Sequence, residues 1–290
     1  MLDYAQLETL AAVIRCGSFE IAAAQLNVTQ SAVSQRIRHL EERVGSPLVR
    51  RGHPCTGTEI GLRLARHVED VALLETQLND TLPRPSGRIR IAVNADSLAT
   101  WLIPALAQVD NTLFDLVVDD QDHSAEWLKR GHVSAAITAV AHPPQGCDSQ
   151  ALGAMRYHAT ASPDYVKRHF PQGVTRAALQ QAPMMVFNSK DGLQHAWMKE
   201  NFQLIHSGPS HTIPSTNAFV EGARTGLGWG MNPEMLIADD LASGALVALE
   251  PNCPFDTPLY WQSSRLLGAV LAPLTRCIRD AARQHLRATD

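Results

Sequence analysis

The 290-residue chain is 45% hydrophobic and 19% charged, the balance of a globular protein with a sizeable core and room for about two domains. A formal net charge of −4 excludes a protein that coats nucleic acid or anionic membrane without specificity, but leaves room for a local basic patch. Five scattered cysteines with no CxxC pair match packing thiols in a reducing compartment, not a disulfide framework or a zinc site, and no metal or cofactor is expected.

The opening stretch "MLDYAQLETLAAVIRCGSFE" has no basic region ahead of its apolar residues, and Asp3 and Glu8 interrupt it, so it does not read as a signal peptide. No apolar run reaches about 18 residues, the length needed to span a bilayer. A cytoplasmic protein without a membrane partner is expected. Leu7, Leu10, Ala11 and Ile14 form one helical stripe that stops at Gly17. Ser18 is placed to cap the short helix "FEIAAAQLN", ending near Asn27. After a tight turn, a longer helix runs from about Thr29 to Val44, ended by Gly45 and Pro47.

With about 100° per residue, Val33, Ile37, Leu40 and Val44 of this third helix fall on one buried stripe. Ser31, Gln35 and Arg38 lie opposite, with Ser34 at the flank. Those side chains suit base edges in the major groove: Gln to adenine, Arg to guanine, Ser to either. A helix-turn-helix presents the start of its second helix in this way. A solvated polar face is the plain alternative, but the small residues of "IAAAQL" permit close helix crossing, and Arg50 and Arg51 are placed to grip phosphates beside the groove. DNA reading is the favoured interpretation.

"LVRRGHPCTGTEIG" reads as a small β-hairpin about a Gly-His-Pro turn. From Leu62 to Leu82 the pattern is helical again, long enough to pair with a copy of itself. "LPRPSG", Leu82 to Gly87, is a linker. Beyond it strands and helices alternate, the mark of α/β layers. The expected elements are strand "RIRIAV", a helix from about Ser97 to Val109, strand "FDLVVDD", a helix near Ala125 to Arg130 and strand "SAAITAV". Then come "PMMVFN", the helix "LQHAWMKENF", "HTIP", the helix "TNAFVEGARTG", "GWGMNP", "TPLYWQ" and a terminal helix from about Leu267 to Arg287.

The ordered set "LETLAAVIRCGSFEIAAAQLNVTQSAVSQRIRHLEERVGSPLVRR", the winged segment, "TEIG" and a long helix resembles the LysR-type transcriptional regulators. "VNADSLATWLIPAL", "GVTR" and "LYW" are similar to the family's ArgP/LysG subgroup, which responds to lysine and arginine and controls basic amino-acid export or metabolism. The resemblance implies an N-terminal all-α winged helix-turn-helix over residues 1–60, a linker helix and hinge over 61–87, and a two-lobed periplasmic-binding-protein-like α/β effector domain over 88–290. Lobe I is placed at about 88–160 and 267–290, and lobe II at about 161–266. It further implies a homodimer through the linker helix, often a homotetramer, that reads dyad-symmetric double-stranded DNA, with RNA polymerase as partner if the protein activates. Thr29, Gln30, Ser31, Ser34, Gln35 and Arg38 carry over as base or groove contacts, Arg36 as a phosphate or packing residue, and Arg50 and Arg51 as wing phosphate contacts.

The family's effector lies in a cleft between the lobes. Asp96 or Ser97 is expected to cap the helix after "IRIAV", and Ser215 or Thr216 the helix after "HTI"; helix N-termini favour a ligand carboxylate. Ser97, Thr100, Ser215, Thr216 and Thr138 could add hydroxyls, though simple capping is the common role of such residues. A lysine or arginine side chain would need an anion, Asp96 first, with Asp119, Asp120 and Asp122 behind it or left as a solvated strand end. Trp229 and Met231 of "GLGWGMNPE" either line the cleft or pack the core. The glycines of that segment follow a helix and precede a strand, the wrong order for a dinucleotide fingerprint. The alternatives are a different small carboxylate as effector, or a two-lobed α/β enzyme or solute receptor. No GxSxG elbow, Walker A or HExxH supports an enzyme, and the helix-turn-helix argues against a receptor.

Overall fold

A computed structural model describes residues 3–75, 87–119, 124–205 and 208–289. Most of the linker "LPRPSG", together with Asp120 and Asp122, lies outside them.

The first helix, α1 (Tyr4–Cys16), starts where the Asp3 carboxylate accepts the amides of Ala5 and Gln6 and ends on left-handed Gly17. Helix α2 (Phe19–Gln25) is capped by Ser18, whose hydroxyl accepts the Ile21 amide. Helix α3 (Gln30–Val44) is capped by Thr29 and closed by Gly45, as the sequence predicts. Val33, Ile37 and Leu40 of α3 are buried against Leu7, Leu10 and Val13 of α1 and Ala22 of α2. The hairpin consists of β1 (Val49–Arg50) and β2 (Thr56–Gly57), paired antiparallel. Glu41 of α3 accepts the amides of Leu48 at 2.8 Å and Val49 at 3.3 Å, which fixes the hairpin on the helix. Helix α4 (Glu59–Glu75) then packs along α1; the further extension to Leu82 falls outside the described residues.

Strand β3 (Gly87–Val93) leads into α5 (Ala95–Ser97), a π-helical turn (Leu98–Leu102) and α6 (Ile103–Leu106). This corrects the expected cap. Asn94 holds the cap position, because the chain turns into helix directly after β3, and Asp96 and Ser97 sit inside the first turn. Next come β4 (Thr112–Val118), α7 (Ser124–Lys129) and β5 (Ala135–Thr138). A fifteen-residue strand, β6 (Cys147–Ala161), follows. The rest comprises α8 (Pro163–His169), α9 (Arg176–Gln181), β7 (Met184–Val186), α10 (Leu193–Phe202), β8 (Ser210–Thr212) and α11 (Thr216–Arg224). The chain closes with β9 (Gly230–Pro233), α12 (Glu234–Ser243), β10 (Val247–Ala248), β11 (Phe255–Ser264) and α13 (Gly268–His285).

Among the described residues, one mixed sheet has the order β10-β6-β11-β5-β3-β4, with β9 also on β6. Strands β7 and β8 pair separately in parallel. The sequence reading missed β6, α8, α9, α12 and β10. In β6 the burial pattern shows no steady alternation, and the register with β11 slips between Leu259 and Tyr260, beside Gly153 at φ +125°. The period that marks a strand is therefore lost. Among the described residues, no helix is long and apolar enough to cross a membrane.

Candidate functional site

Two sites emerge, one on the N-terminal helices and one in the α/β part of the chain. At the first, Gln30, Ser31, Gln35 and Arg38 are exposed on the outer face of α3 and Ser34 is half-buried at its edge. The Thr29 hydroxyl accepts the Ala32 amide and lies 3.0 Å from Ser31 Oγ, so it shapes the helix start. Arg38 donates to Glu42 at 2.9 Å on the open surface, a pair that solvent screens and that a stronger anion can replace. Arg36 points inward: its guanidinium donates to Thr9 Oγ1 of α1 at 3.3 Å, placing it between α3 and α1. Arg50 and Arg51 are exposed on the wing, and the Arg51 guanidinium stands 5.8 Å from the centre of the Phe19 ring. The face therefore carries amide, hydroxyl and guanidinium groups on a helix whose other side is fixed by packing, as base reading requires.

The second site is a pocket of about 520 Å³, open to solvent, between the end of β3 and the start of α11. Of the residues singled out from the sequence, Asp96, Asp119, Thr216 and Met231 line it, together with Asp191 and Asn232. None of the described lining residues is lysine or arginine, and with Asp119 paired to Lys190 just outside the wall, Asp96 and Asp191 give the pocket its negative charge. Asp96 joins the two sides: its Oδ1 accepts the Thr216 hydroxyl at 2.9 Å and its Oδ2 accepts the Tyr157 hydroxyl at 2.7 Å. Asp119 accepts Trp127 Nε1 at 2.8 Å and Lys190 Nζ at 2.9 Å. Asp191 accepts the amides of Phe187 and Leu193, which holds the loop before α10. These contacts orient the acids around the pocket. Asn232 is fully buried; its amide donates to Thr160 Oγ1, and its Oδ1 has no partner among the described residues.

Other candidates lie apart from the pocket wall. Ser215 caps α11 through the Ala218 amide. Thr100 donates to the Asp96 carbonyl at 2.6 Å, a bond within the helical turn. Ser97 is buried with no partner for its hydroxyl among the described residues. Thr138, fully buried, accepts the Val140 amide. Trp229 is fully buried, its ring 5.6 Å from Trp197, which places it in the core. Sequence reasoning missed Asp191, Asn232 and Tyr157. Only Asp191 left a signal, an acid two residues before a helix start in "SKDGLQ".

Two family models match the chain. "Bacterial regulatory helix-turn-helix protein, lysR family" covers residues 4–62, and "LysR substrate binding domain" covers residues 83–283. The regulator LysG of Mycobacterium tuberculosis is 44% identical over 97% of this chain and 94% of its own length. The regulator ArgP of Pseudomonas aeruginosa is 44% identical over 95% of this chain and 94% of its own. Among solved structures, ArgP from Mycobacterium tuberculosis superposes with a TM-score of 0.83 at 43% identity, covering 100% of both chains. Full-length LysG from Corynebacterium glutamicum with bound effector Arg gives 0.70 at 35% identity, over 99% of this chain and 100% of that one.

Proposed function

The chain belongs to the LysR family of bacterial transcriptional regulators, and on that premise we propose that lysine or arginine is its effector and that it controls genes of amino-acid export or metabolism. The observation that carries the effector is the pocket lined by Asp96 and Asp191, with Asp119 held by Lys190 beside them, and by no described lysine or arginine in its wall. A guanidinium or ammonium side chain is the complementary group. The ligand's α-carboxylate would lie towards the first turn of α11, whose leading amides have no intrahelical acceptor. The LysG relative solved with bound Arg supports the same chemistry.

The division into a DNA-binding unit at residues 1–60, a linker helix at 61–87 and an effector domain at 88–290 belongs to this proposal. So do a homodimer through the linker helix, a tetramer through the effector domains, and RNA polymerase as partner if the regulator activates. Two α3 helices related by a two-fold axis would read half-sites about one helical turn apart. Linked modules raise affinity through effective concentration, which reconciles DNA binding with an acidic chain.

Calorimetric titration with lysine, arginine and neutral amino acids tests the effector. Saturable binding of a basic amino acid is expected, weakened by Asp96→Asn; no binding of either at millimolar concentration overturns it. Footprinting upstream of neighbouring genes should reveal a dyad-symmetric site, and its absence would count against the operator geometry.

A further inference from the structure

A cation of the chain itself stands at the aspartate-lined pocket. Asp119 follows β4 and is tied to the main sheet, its amide donating to the Val93 carbonyl of β3 at 3.1 Å. Lys190 comes from another part of the chain, the turn between α10 and β7, a strand of the separate β7–β8 pair. Its ammonium donates to Asp119 Oδ1 at 2.9 Å. The two ends of this pair are held unequally. Trp127 Nε1 donates to the other oxygen, Asp119 Oδ2, at 2.8 Å, and the Asp119 side chain is 17% exposed. The backbone under Lys190 is braced as well: Asn188 Oδ1 accepts the Lys190 amide at 2.7 Å, and Asp191 accepts the amides of Phe187 and Leu193. The Lys190 side chain, by contrast, is 45% exposed. Its four-carbon stem is flexible, and solvent screening leaves such an ion pair easy to exchange.

The chemistry of the two partners gives the pair its meaning. An ammonium on a four-carbon stem is the side-chain end of free lysine, and it bears the same charge as the guanidinium of arginine. A basic amino acid in the pocket and Lys190 therefore compete for Asp119, because two like charges held side by side at one carboxylate repel each other.

We infer that Lys190 is a built-in competitor of the effector, an autoinhibitory contact in which the chain's own ammonium holds Asp119 until a basic amino acid displaces it. This contact rests on the reading of the pocket as a basic amino-acid site, and it raises the concentration at which that site fills. Displacement is the swing of one side chain. The braced turn keeps its shape, so Asp191, in the same turn, keeps its place in the pocket wall.

The test is calorimetry of the full-length wild type, Lys190→Met and Lys190→Arg with arginine, with lysine, and with citrulline as the uncharged counterpart of arginine. Met removes the charge and keeps an unbranched side chain. Lys190→Met should tighten binding of both basic amino acids by about threefold to fivefold, the range of a partly solvated ion pair, and change citrulline binding far less. Lys190→Arg, which keeps a competing cation, should stay near wild type. Chemical acetylation read by peptide mass spectrometry gives a second measure: arginine should speed modification of the Lys190 amine in the wild type. Basic amino-acid binding that Lys190→Met leaves unchanged or weakens overturns the inference while the effector reading stands. So does an equal gain for citrulline, which would come from space and not charge, and so does unchanged or slower acetylation, which would mean that Lys190 stays in place or closes over the ligand. Binding by Lys190→Met but not by wild type supports both the inference and the effector reading. No binding of lysine or arginine to either protein overturns both.

Discussion

At the scale of single residues, packing separates side chains that the helical pattern groups together. Gln35 is exposed on the outer face of α3, whereas Arg36, one step along, is turned to Thr9. Gln35→Ala should cost roughly 1–3 kcal/mol on cognate DNA and little on random DNA. Arg51→Ala should weaken both alike and flatten the salt dependence; competitive binding at several salt concentrations separates the two. A second residue-scale prediction concerns Asp256, which faces Arg156 across β6 and β11 and takes two hydrogen bonds from it, at 2.8 and 2.6 Å. Those bonds hold the Asp256 carboxyl below its ordinary pKa. A depressed folded value means the pair stabilises the fold above the unfolded pKa, and the contribution fades as pH falls through the folded one. Because both groups are partly solvated, it amounts to about 1 kcal/mol or less. Asp256→Asn should lower the urea midpoint at neutral pH, with the gap closing in strong acid. The pairing itself was invisible in the sequence, because it joins residues from strands far apart in the chain.

At the scale of elements, the N-terminal helices were legible because their signals are local: Asp3, Ser18 and Thr29 at the starts, Gly17 and Gly45 at the ends. Gly61 shows what local signals leave out. It lies in the first turn of α4 against the wing, and an added Cβ would stand 2.0 Å from the Leu48 carbonyl oxygen. Gly61→Ala must push the wing away from α4, at a cost of about 1–3 kcal/mol. Chemical denaturation should register that loss, and DNA affinity should fall with it as Arg50 and Arg51 are displaced; an unchanged midpoint would mean the wing yields freely. The aspartate-lined pocket was half legible. Asp96 and Thr216 stand at helix starts, where sequence reasoning looks for binding groups. Asn232 comes from β9, buried on both faces and without a periodic mark, and Tyr157 from β6, whose alternation is broken around Gly153.

For the molecule as a whole, the division into a reading part and a sensing part could be inferred from the shift in pattern around residues 82–87, but the contact between the parts could not. Arg66, its side chain only 6% exposed, joins them. It pairs with Asp70 at 2.5 Å within α4 and donates to the hydroxyl of Ser134, the residue before β5. Arg66→Ala leaves Ser134 and two acids short of a partner, costing about 2 kcal/mol. The effector should still bind, yet change DNA affinity less than in the wild type. DNA titrations with and without arginine measure this, and an undiminished response would place the communication elsewhere.

Strand β6 pairs with β11 along most of its length and with β9 and β10 near its end. A one-residue insertion between bulges would turn every following side chain from one face to the other, on both sets of pairings at once. Only the irregular stretch beside Gly153 could absorb it. Among descendants of this chain, length variation should therefore gather in loops, while β6 keeps its length like a ruler against which the rest of the sheet is laid.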